Sequence, residues 1–446
     1  MGKPTGFMDY QRVVAPDTPA LERVRNAERF HEELDDERRT QQAGRCMDCG
    51  VPFCQAGLVV DRALVGCPLR NLIPEWNDQL WSGQLARAAE RLLRTNCFPE
   101  FTGYVCPAPC EAWCAAAKTG AAVTINDNER YIIEEAFREG LVSPRVPSQR
   151  SGARVAVVGS GPAGLTVADL LNQRGHAVTV FERDKTPGGL LVYGIPNMKL
   201  PKDVVARRIR LMREEGVAFE CGVDVGRDVS VSELQGQYDA VVLAVGAQEP
   251  RAVPFEGEAN EVCFALDYLG AAASDFLGEA KLPASRCARG KVVAVVGAGD
   301  SANDCIATAL RQGAKDVVQL IRRPAEDYGD ATDYAHEEAS AVLGRDIRLF
   351  QTQVRAVRAD KRGHLRELVL STPEGEKACR ADMLVVASGF KGPEAYAAET
   401  ADEAAGNLFR AGDANLGASL VVRAMADARK TAAAVDAHLM GYTTIA

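Results

Sequence analysis

The stretch "RVAVVGSGPAGLTVADLL", residues 154–171, decides the fold of this chain. A continuous apolar run leads directly into Gly159-x-Gly161-x-x-Gly164, and a helical pattern follows. In such a motif the first Gly makes a tight turn, the second lets the backbone approach a pyrophosphate, and the third lets helix and strand pack closely. The next apolar run, "AVTVFE", ends in Glu182, an acid placed to hold a ribose hydroxyl. These features together predict a dinucleotide-binding domain rather than a structural glycine turn.

A second unit of the same kind begins at Lys291 with "KVVAVVGAGDSANDCIATAL". Its next strand, "VVQLIRR", closes with two arginines where the first unit has an acid. A carboxylate repels a 2′-phosphate, whereas a guanidinium binds it through charge-assisted hydrogen bonds. The first site is therefore predicted to take FAD and the second NADPH, the alternative being that the arginines are a solvated strand end. The residues predicted to meet NADPH are Gly297, Gly299, Asp300, Ser301, Arg322 and Arg323.

Three further stretches support the flavin prediction. The pair Gly412-Asp413 resembles the second flavin-binding motif of flavoproteins with two dinucleotide domains, in which the Asp reaches the ribityl and pyrophosphate region. The stretch "VVLAVGA", residues 241–247, resembles the strand and turn that join their two domains. In "GGLLVYGIP", Gly188, Gly189 and Leu190 are predicted to lie near the isoalloxazine, because adjacent glycines permit close backbone approach. A buried loop without a cofactor is the alternative for that last stretch.

Composition limits the possible functions. The 446 residues are 47% hydrophobic and 25% charged, which is typical of a globular protein with a large core. The formal net charge of −9 argues against a general nucleic-acid binder. The N-terminus lacks the apolar region of a secretory signal, and no apolar run reaches the roughly 18 residues of a membrane span. A cytoplasmic protein without nucleic-acid or membrane partners is expected.

Cysteines are unusually frequent. The chain has 13, of which eight precede residue 115. In a reducing compartment such groups bind metal more often than they form disulfides. The Cys46-x-x-Cys49 spacing fits both zinc and iron–sulfur. Cys-Pro pairs at Cys67 and Cys106, together with the neighbouring flavin motifs, favour iron–sulfur, while zinc and inert thiols remain alternatives.

These patterns predict an α/β chain of three domains. Residues 1–145 form a mostly helical, cysteine-rich domain, in which residues 20–45 are predicted to be one charged amphipathic helix that ends near Gly44. A Pro/Ser-rich linker covers residues 143–152. An FAD domain, residues 152–250 and 385–446, is interrupted by an NADPH domain, residues 251–384.

The whole chain resembles the small (β) subunit family of glutamate synthase. The shared stretches include "CMDCGVPFC", "VCPAPCEAWC", "GGLLVYGIPNMKL" and "GASLVV". The same module occurs in dihydropyrimidine dehydrogenase and in electron-bifurcating transhydrogenases. The chain departs from the family after Arg323, and it looks short by about one β-hairpin before Gly406.

The resemblance implies two [4Fe–4S] clusters in the N-terminal domain. It implies Cys46, Cys49, Cys54 and Cys114 as ligands of one, and Cys67, Cys106, Cys110 and Glu129 as ligands of the other. It leaves Cys97 as a non-ligand. The alternative for Glu129 is the solvated side of a helix start.

The implied function is electron input. Hydride passes from NADPH to FAD, and single electrons pass through the clusters to a large (α) subunit that carries FMN and makes glutamate from glutamine and 2-oxoglutarate. The alternative is a subunit of a bifurcating ferredoxin:NADP transhydrogenase or another NADPH-dependent flavin and iron–sulfur oxidoreductase. No acid–base side chain is assigned, because hydride transfer needs orientation more than a proton donor.

Overall fold

The structure, a computed structural model, describes residues 3–61, 63–328, 333–393 and 406–445. Each glycine unit lies at the centre of a five-stranded sheet whose strands are all parallel. The central strands are buried on both faces, which explains their continuous apolar sequences. The α/β architecture predicted from the alternating pattern is confirmed.

The first sheet is built around the strand that precedes Gly159. Its strand order is Leu408–Arg410, Ala240–Leu243, Arg154–Val158, Ala177–Glu182 and Ala218–Cys221. The chain therefore returns after a long excursion to supply the edge strand Leu408–Arg410. The helices connected with this sheet are Pro162–Gln173, Leu190–Tyr193, Lys202–Glu214, Val231–Gln237, Asp413–Leu416 and Val421–Met440.

The second sheet is built around the strand that precedes Gly297. Its order is Arg348–Leu349, Asp316–Leu320, Val292–Val296, Met383–Val386 and Val262–Phe264. The helices Ala265–Phe276, Asp300–Arg311 and Tyr334–Leu343 share one core cluster with this sheet. A three-stranded antiparallel sheet, Gln353–Ala359, Leu365–Thr372 and Gly375–Arg380, packs through a separate cluster.

Two short antiparallel strands, Glu249–Pro250 and Phe390–Gly392, run side by side where the chain passes between the two sheets. The strand Met383–Val386, which crosses the predicted boundary between residues 384 and 385, pairs inside the second sheet. The domain boundaries themselves stay a prediction. The predicted shortfall before Gly406 falls on residues 394–405, outside the described residues.

The N-terminal region is mostly helical, as predicted. Its elements are the helices Gly6–Asp9, Ala20–Arg23, Asp36–Gly44, Ile73–Trp81, Leu85–Thr95, Pro99–Val105, Pro109–Ala112 and Ile125–Arg138, and the hairpin Leu58–Val60 with Ala63–Val65. These helices do not form a core of their own. We call each five-stranded sheet with its helices a Rossmann domain. Trp76 and Phe101 belong to the same buried cluster as Val157 and Met425 of the first of these domains.

The prediction of one helix over residues 20–45 is wrong. The chain is helical at Ala20–Arg23 and again at Asp36–Gly44, where Asp35 caps the second helix by accepting from the Arg38 amide at 2.8 Å. The segment between them, residues 24–35, is a strap that runs along the second Rossmann domain. Phe30 is 2% exposed in that domain's core, and its ring stacks on Tyr334. Tertiary burial of Phe30 overrides the local helical pattern.

No described helix is both long enough and apolar enough to cross a bilayer.

A buried ion pair joins the N-terminal helices to the first Rossmann domain. Arg208 donates from Nε to Glu100 Oε1 at 2.5 Å, and both side chains are at most 1% exposed. Removing one partner leaves the other charge buried without compensation, which costs about 3–5 kcal/mol. We expect Arg208→Ala to lower the free energy of unfolding by that amount in denaturant titration. Arg210→Ala, an exposed position on the same helix, is the matched control, and an equal loss in both variants would contradict the interpretation.

Candidate functional site

A cleft of about 440 Å³ opens at the carboxyl ends of the first sheet. Ligands of doubly wound sheets bind at this edge, where the helix N-terminus points toward them. Six of the predicted flavin-site residues line the cleft: Gly159, Gly161, Glu182, Gly189, Leu190 and Asp413.

The three glycines of the first motif have three different surroundings. Gly159 has φ +99°, and a Cβ there would lie 2.6 Å from the Ala244 carbonyl oxygen. A Cβ at Gly164 would overlap the Gly159 carbonyl oxygen, because helix and turn touch at that point. Gly161, in contrast, faces open space. The open position is the second glycine, which is where a pyrophosphate would approach the backbone.

Glu182 is 5% exposed and is held by backbone and side-chain donors. One carboxylate oxygen accepts from the Ser160 amide at 3.0 Å and from the Ser160 hydroxyl, and the other accepts from the Asp184 amide at 2.9 Å. Ser160 Oγ also accepts from the Gly188 amide at 2.7 Å. One serine therefore ties the acid to the Gly188–Gly189 loop. Burial, and then the charge of Glu182, raise the pKa of Asp184 to about 6.

Gly412 and Asp413 complete the cleft from the C-terminal side. Gly412 has φ +67°, and a Cβ there would overlap Ala163 at the start of the first motif's helix. Asp413 accepts from the Ser419 amide at 3.1 Å and from its hydroxyl at 2.5 Å. Burial raises the pKa of Asp413. A glycine followed by an oriented acid thus faces the first glycine turn across the cleft.

The second glycine turn repeats this arrangement. A Cβ at Gly297 would overlap the Ala387 carbonyl oxygen, whereas Gly299 faces open space. Asp300, exposed, begins the helix that follows, and Ser301 is half-buried beside it. Gln319, fully buried, supports the turn by donating to the Gly297 carbonyl at 2.9 Å.

Arg322 and Arg323 are exposed just beyond the strand Asp316–Leu320, at the same edge of the sheet as the second glycine turn. The Arg323 guanidinium lies 4.9 Å from the centre of the Tyr328 ring, and its Nε donates to the Tyr328 hydroxyl at 3.2 Å. The tyrosine orients one member of the basic pair.

The cysteines of the N-terminal region lie around two separate pockets. Cys46, Cys49, Cys54 and Cys114 line the first, which we call the outer pocket. Cys67, Cys106, Cys110 and Glu129 line the second, which we call the inner pocket. The structure brings together each predicted ligand set. Within the described residues, no three His, Cys, Asp or Glu side chains converge as ligands of a single ion would.

Cys97 lies in neither pocket. It is 6% exposed, and burial followed by the nearby Asp169 charge raises the pKa of its thiol to about 12. Burial likewise raises the pKa of Cys46, Cys67 and Cys106 to about 12. Iron binds the thiolate, so a bound cluster would have to replace these protons.

Glu129 is 7% exposed beside the three inner cysteines. It accepts from Asn71 Nδ2 at 3.3 Å, from Asn96 Nδ2 at 3.1 Å and from the Thr102 hydroxyl. Burial raises its pKa to about 7, and these hydrogen bonds oppose the rise. No ion pair of Glu129 is found among the described residues. A buried, oriented carboxylate facing thiols fits a cluster ligand better than a solvated helix start.

The cleft, the inner pocket and the outer pocket are contiguous. Val421 lines the cleft and Val422 lines the inner pocket, both at the start of the helix Val421–Met440. The Cys67 amide donates to the Cys54 carbonyl at 2.7 Å, which links the inner pocket to the outer one. Sequence reasoning identified the cysteines but missed Ser160, Asn71 and Asn96, whose partners are distant along the chain.

Two family models match this architecture. "Pyridine nucleotide-disulphide oxidoreductase" matches residues 153–412, and the dihydropyrimidine dehydrogenase domain II model, described as holding a 4Fe-4S cluster, matches residues 23–141. The two Rossmann sheets, the cleft and the cysteine pockets therefore define an oxidoreductase with an iron–sulfur type of N-terminal domain.

Comparison with individual proteins narrows the class. The chain is 42% identical to the glutamate synthase [NADPH] small chain of Bacillus subtilis, with 100% of both chains covered. It belongs to the glutamate synthase small-chain family. It is also 37% identical to glutamate synthase [NADH] of Schizosaccharomyces pombe, in which the match covers 99% of this chain but 23% of that protein.

A solved structure shows the same fold at lower identity. FprA from Mycobacterium tuberculosis, solved in complex with NADPH, superposes with a TM-score of 0.50 over 65% of this chain and 85% of that one, at 20% identity.

The inner pocket yields a test of its fourth ligand. We expect Glu129→Ala to lose or convert one cluster, because the carboxylate would no longer complete the set of three thiolates. Cys97→Ser should keep about eight irons per chain, because Cys97 faces Asp169 instead. The iron content of each variant and the EPR spectrum of its reduced form check both expectations. A normal Glu129→Ala protein beside an iron-depleted Cys97→Ser protein would overturn the assignment.

Proposed function

We propose that this chain is the NADPH-oxidising, electron-input subunit of glutamate synthase. The observation that carries the proposal is the contiguity of the cleft, the inner pocket and the outer pocket through Val421–Val422 and the Cys67–Cys54 hydrogen bond. Sites in this order suit a chain that receives two electrons at one end and delivers them at the other.

The cleft has the features that FAD requires. Gly161 leaves room for the pyrophosphate, Glu182 offers carboxylate oxygens for a ribose, and Asp413, which lines the cleft, would meet the ribityl side. Gly188, Gly189 and Leu190 would form the wall beside the flavin ring. FAD, when bound, accepts a hydride and can release its two electrons singly. The residues of the chain bind and orient it, and the apolar wall excludes water.

The second glycine turn is the proposed NADPH site. Gly297, Gly299, Asp300 and Ser301 would receive the pyrophosphate at the helix N-terminus. Arg322 and Arg323 would bind the 2′-phosphate, and Tyr328 holds Arg323 in place. The names of the relatives include both NADPH and NADH, and this basic pair is the feature of the chain that supports NADPH.

Two [4Fe–4S] clusters are proposed for the pockets. The outer set is Cys46, Cys49, Cys54 and Cys114, and the inner set is Cys67, Cys106, Cys110 and Glu129. The observations that support a fit are that all four predicted donors line the same pocket in each case, and that the carboxylate of Glu129 is buried and oriented. A carboxylate in place of a thiolate changes cluster charge, which is one of the determinants of its potential.

The partner is proposed to be the large glutamate synthase chain that carries FMN, docking at the outer pocket. Exposed Phe53 lines that pocket, and further exposed apolar side chains lie close to the outer cysteines along the chain: Val51, Leu58, Val59, Val60 and Trp113. Trp113 Nε1 donates to the Leu64 carbonyl at 2.8 Å, which fastens the hairpin to the cysteine segment. Large exposed apolar patches mark interaction sites. In the S. pombe relative the counterpart of this chain is part of a longer glutamate synthase, so such a neighbour is permanently attached there.

Coenzyme preference tests the second site. The wild-type chain should prefer NADPH to NADH in kcat/KM with a dye acceptor. Arg322→Ala/Arg323→Ala should lower the preference ten- to a hundredfold, since a charge-assisted contact contributes about 1.5–3 kcal/mol. Arg355→Ala, an exposed arginine on the antiparallel sheet, should leave the preference unchanged. Equal use of both coenzymes by the wild type would refute the assignment.

The separation of NADPH oxidation from glutamate formation tests the proposed function. The isolated chain should reduce dyes with NADPH but form no glutamate from glutamine and 2-oxoglutarate until the large chain is added. Val59→Asp, at a 54% exposed position of the hairpin, should weaken glutamate formation at least tenfold and leave dye reduction intact. Val146→Asp, 63% exposed in the linker, is the matched control. Glutamate made by the chain alone would contradict the proposal, and failure to couple with the large chain would favour the transhydrogenase alternative.

A further inference from the structure

The segment Gly194–Leu200 leaves the flavin cleft, reaches the second Rossmann domain at Met198, and returns to the core of the first at Leu200. Ile195 lines the cleft, whereas Met198, 1% exposed, belongs to the core cluster of the second sheet. The Asn197 side chain donates to the Ala27 carbonyl of the strap at 2.8 Å. The segment is therefore a bridge between the wall of the cleft and the coenzyme domain.

Lys199 makes the charged contact between this bridge and the coenzyme helix. Its Nζ lies 2.9 Å from Asp304 Oδ1, and the Tyr334 hydroxyl donates to the same oxygen at 2.5 Å. Asp304 is 4% exposed, and the Lys199 ammonium lies 5.7 Å from the centre of the Tyr334 ring. We call these three residues the latch. A buried carboxylate that receives one ammonium and one hydroxyl fixes the position of both donors.

Each side of the latch is rigidly attached to one of the two proposed redox sites. Asp304 lies on the helix Asp300–Arg311, which begins directly after Gly299 of the second glycine turn. On the other side, Lys202 Nζ donates to the Leu191 carbonyl at 2.8 Å, and Leu191 lines the cleft. The Lys199–Asp304 ion pair thus connects the coenzyme helix to the segment that continues the cleft wall, beside the apolar contact of Met198.

We propose that Lys199 is a positioning residue, which through Asp304 and Tyr334 holds the coenzyme helix at the approach to the cleft that hydride transfer requires. This inference rests on the proposed function. Hydride transfer depends on a near-attack geometry, and a displacement of about 1 Å by a distant mutation can cost about a hundredfold in rate. The side-chain partners of Lys199 among the described residues are Asp304 and Tyr334, which lie outside both glycine turns, so its loss should affect the transfer step rather than coenzyme affinity.

The test separates these two effects. Anaerobic stopped-flow measures flavin reduction by NADPH and by NADPH deuterated at the transferred position, and equilibrium titration with NADP⁺ measures affinity. Lys199→Met, which keeps the stem and removes the charge, should slow flavin reduction about ten- to a hundredfold with a full isotope effect. The NADP⁺ dissociation constant should change less than about threefold. Lys315→Met, an exposed lysine after the same helix, should match the wild type in both measurements.

Conservative variants and a measurement without turnover complete the test. Lys199→Arg should restore most of the rate, and Tyr334→Phe, which removes one donor and keeps the ring, should give a smaller slowing. Hydrogen–deuterium exchange of residues 195–200 in the coenzyme-free chain should rise in Lys199→Met and fall again in Lys199→Arg.

The proposal is overturned if Lys199→Met reduces its flavin at the wild-type rate, or if its defect lies wholly in the NADP⁺ dissociation constant. Should Lys199→Met not fold, Tyr334→Phe decides alone, and a wild-type rate in that variant counts against the latch. A wild-type chain whose flavin is not reduced by NADPH would instead refute the proposed function, so the two failures are distinguishable.

Discussion

A single hydrophobic core joins the N-terminal helices to the first Rossmann sheet, and the arrangement of the sites depends on it. It runs from Trp76 and Phe101 to Val157 and Met425, all completely buried. Because protein interiors are close-packed, elements that share a core cannot slide past one another without losing contacts on both sides. The cysteine pockets are therefore held at a constant position against the cleft, and Arg208 with Glu100 adds a directional contact inside the same core.

The second Rossmann domain is attached differently. It has its own core clusters. Its contacts with the rest of the chain include the strap, the two short strands at Glu249–Pro250 and Phe390–Gly392, the latch, and hydrogen bonds from Thr186 and Tyr193 to Glu279. Phe30 and Met198 add apolar contacts, but most of the others are polar or short crossings, and such interfaces permit relative motion more readily than one continuous apolar core. The hydride-donating side is therefore more adjustable than the proposed electron path.

Local patterns predicted much of this structure. Signals within a few residues of each other predicted the two glycine turns, their strands and the cysteine-rich helices. The grouping of Cys46 with Cys114 came instead from the resemblance to a family. The segment from Ala20 through the strap was mispredicted because its charges satisfy a helical pattern. The partner of Arg23, directly before the strap, is Glu338, which accepts from it at 2.8 Å and lies 315 positions away. Ser160, Asn96 and the latch were beyond prediction for the same reason. Their role comes from contacts that only the folded chain creates.

The two cysteine sets are interleaved along the chain. Cys67, Cys106 and Cys110 of the inner pocket all lie between Cys54 and Cys114 of the outer one, and the inner set closes only at Glu129. A contiguous fragment that holds one complete set therefore also carries part of the other. During synthesis the outer set is complete at Cys114, whereas the inner set waits for Glu129 in the helix Ile125–Arg138, so the two proposed sites would become complete one after the other.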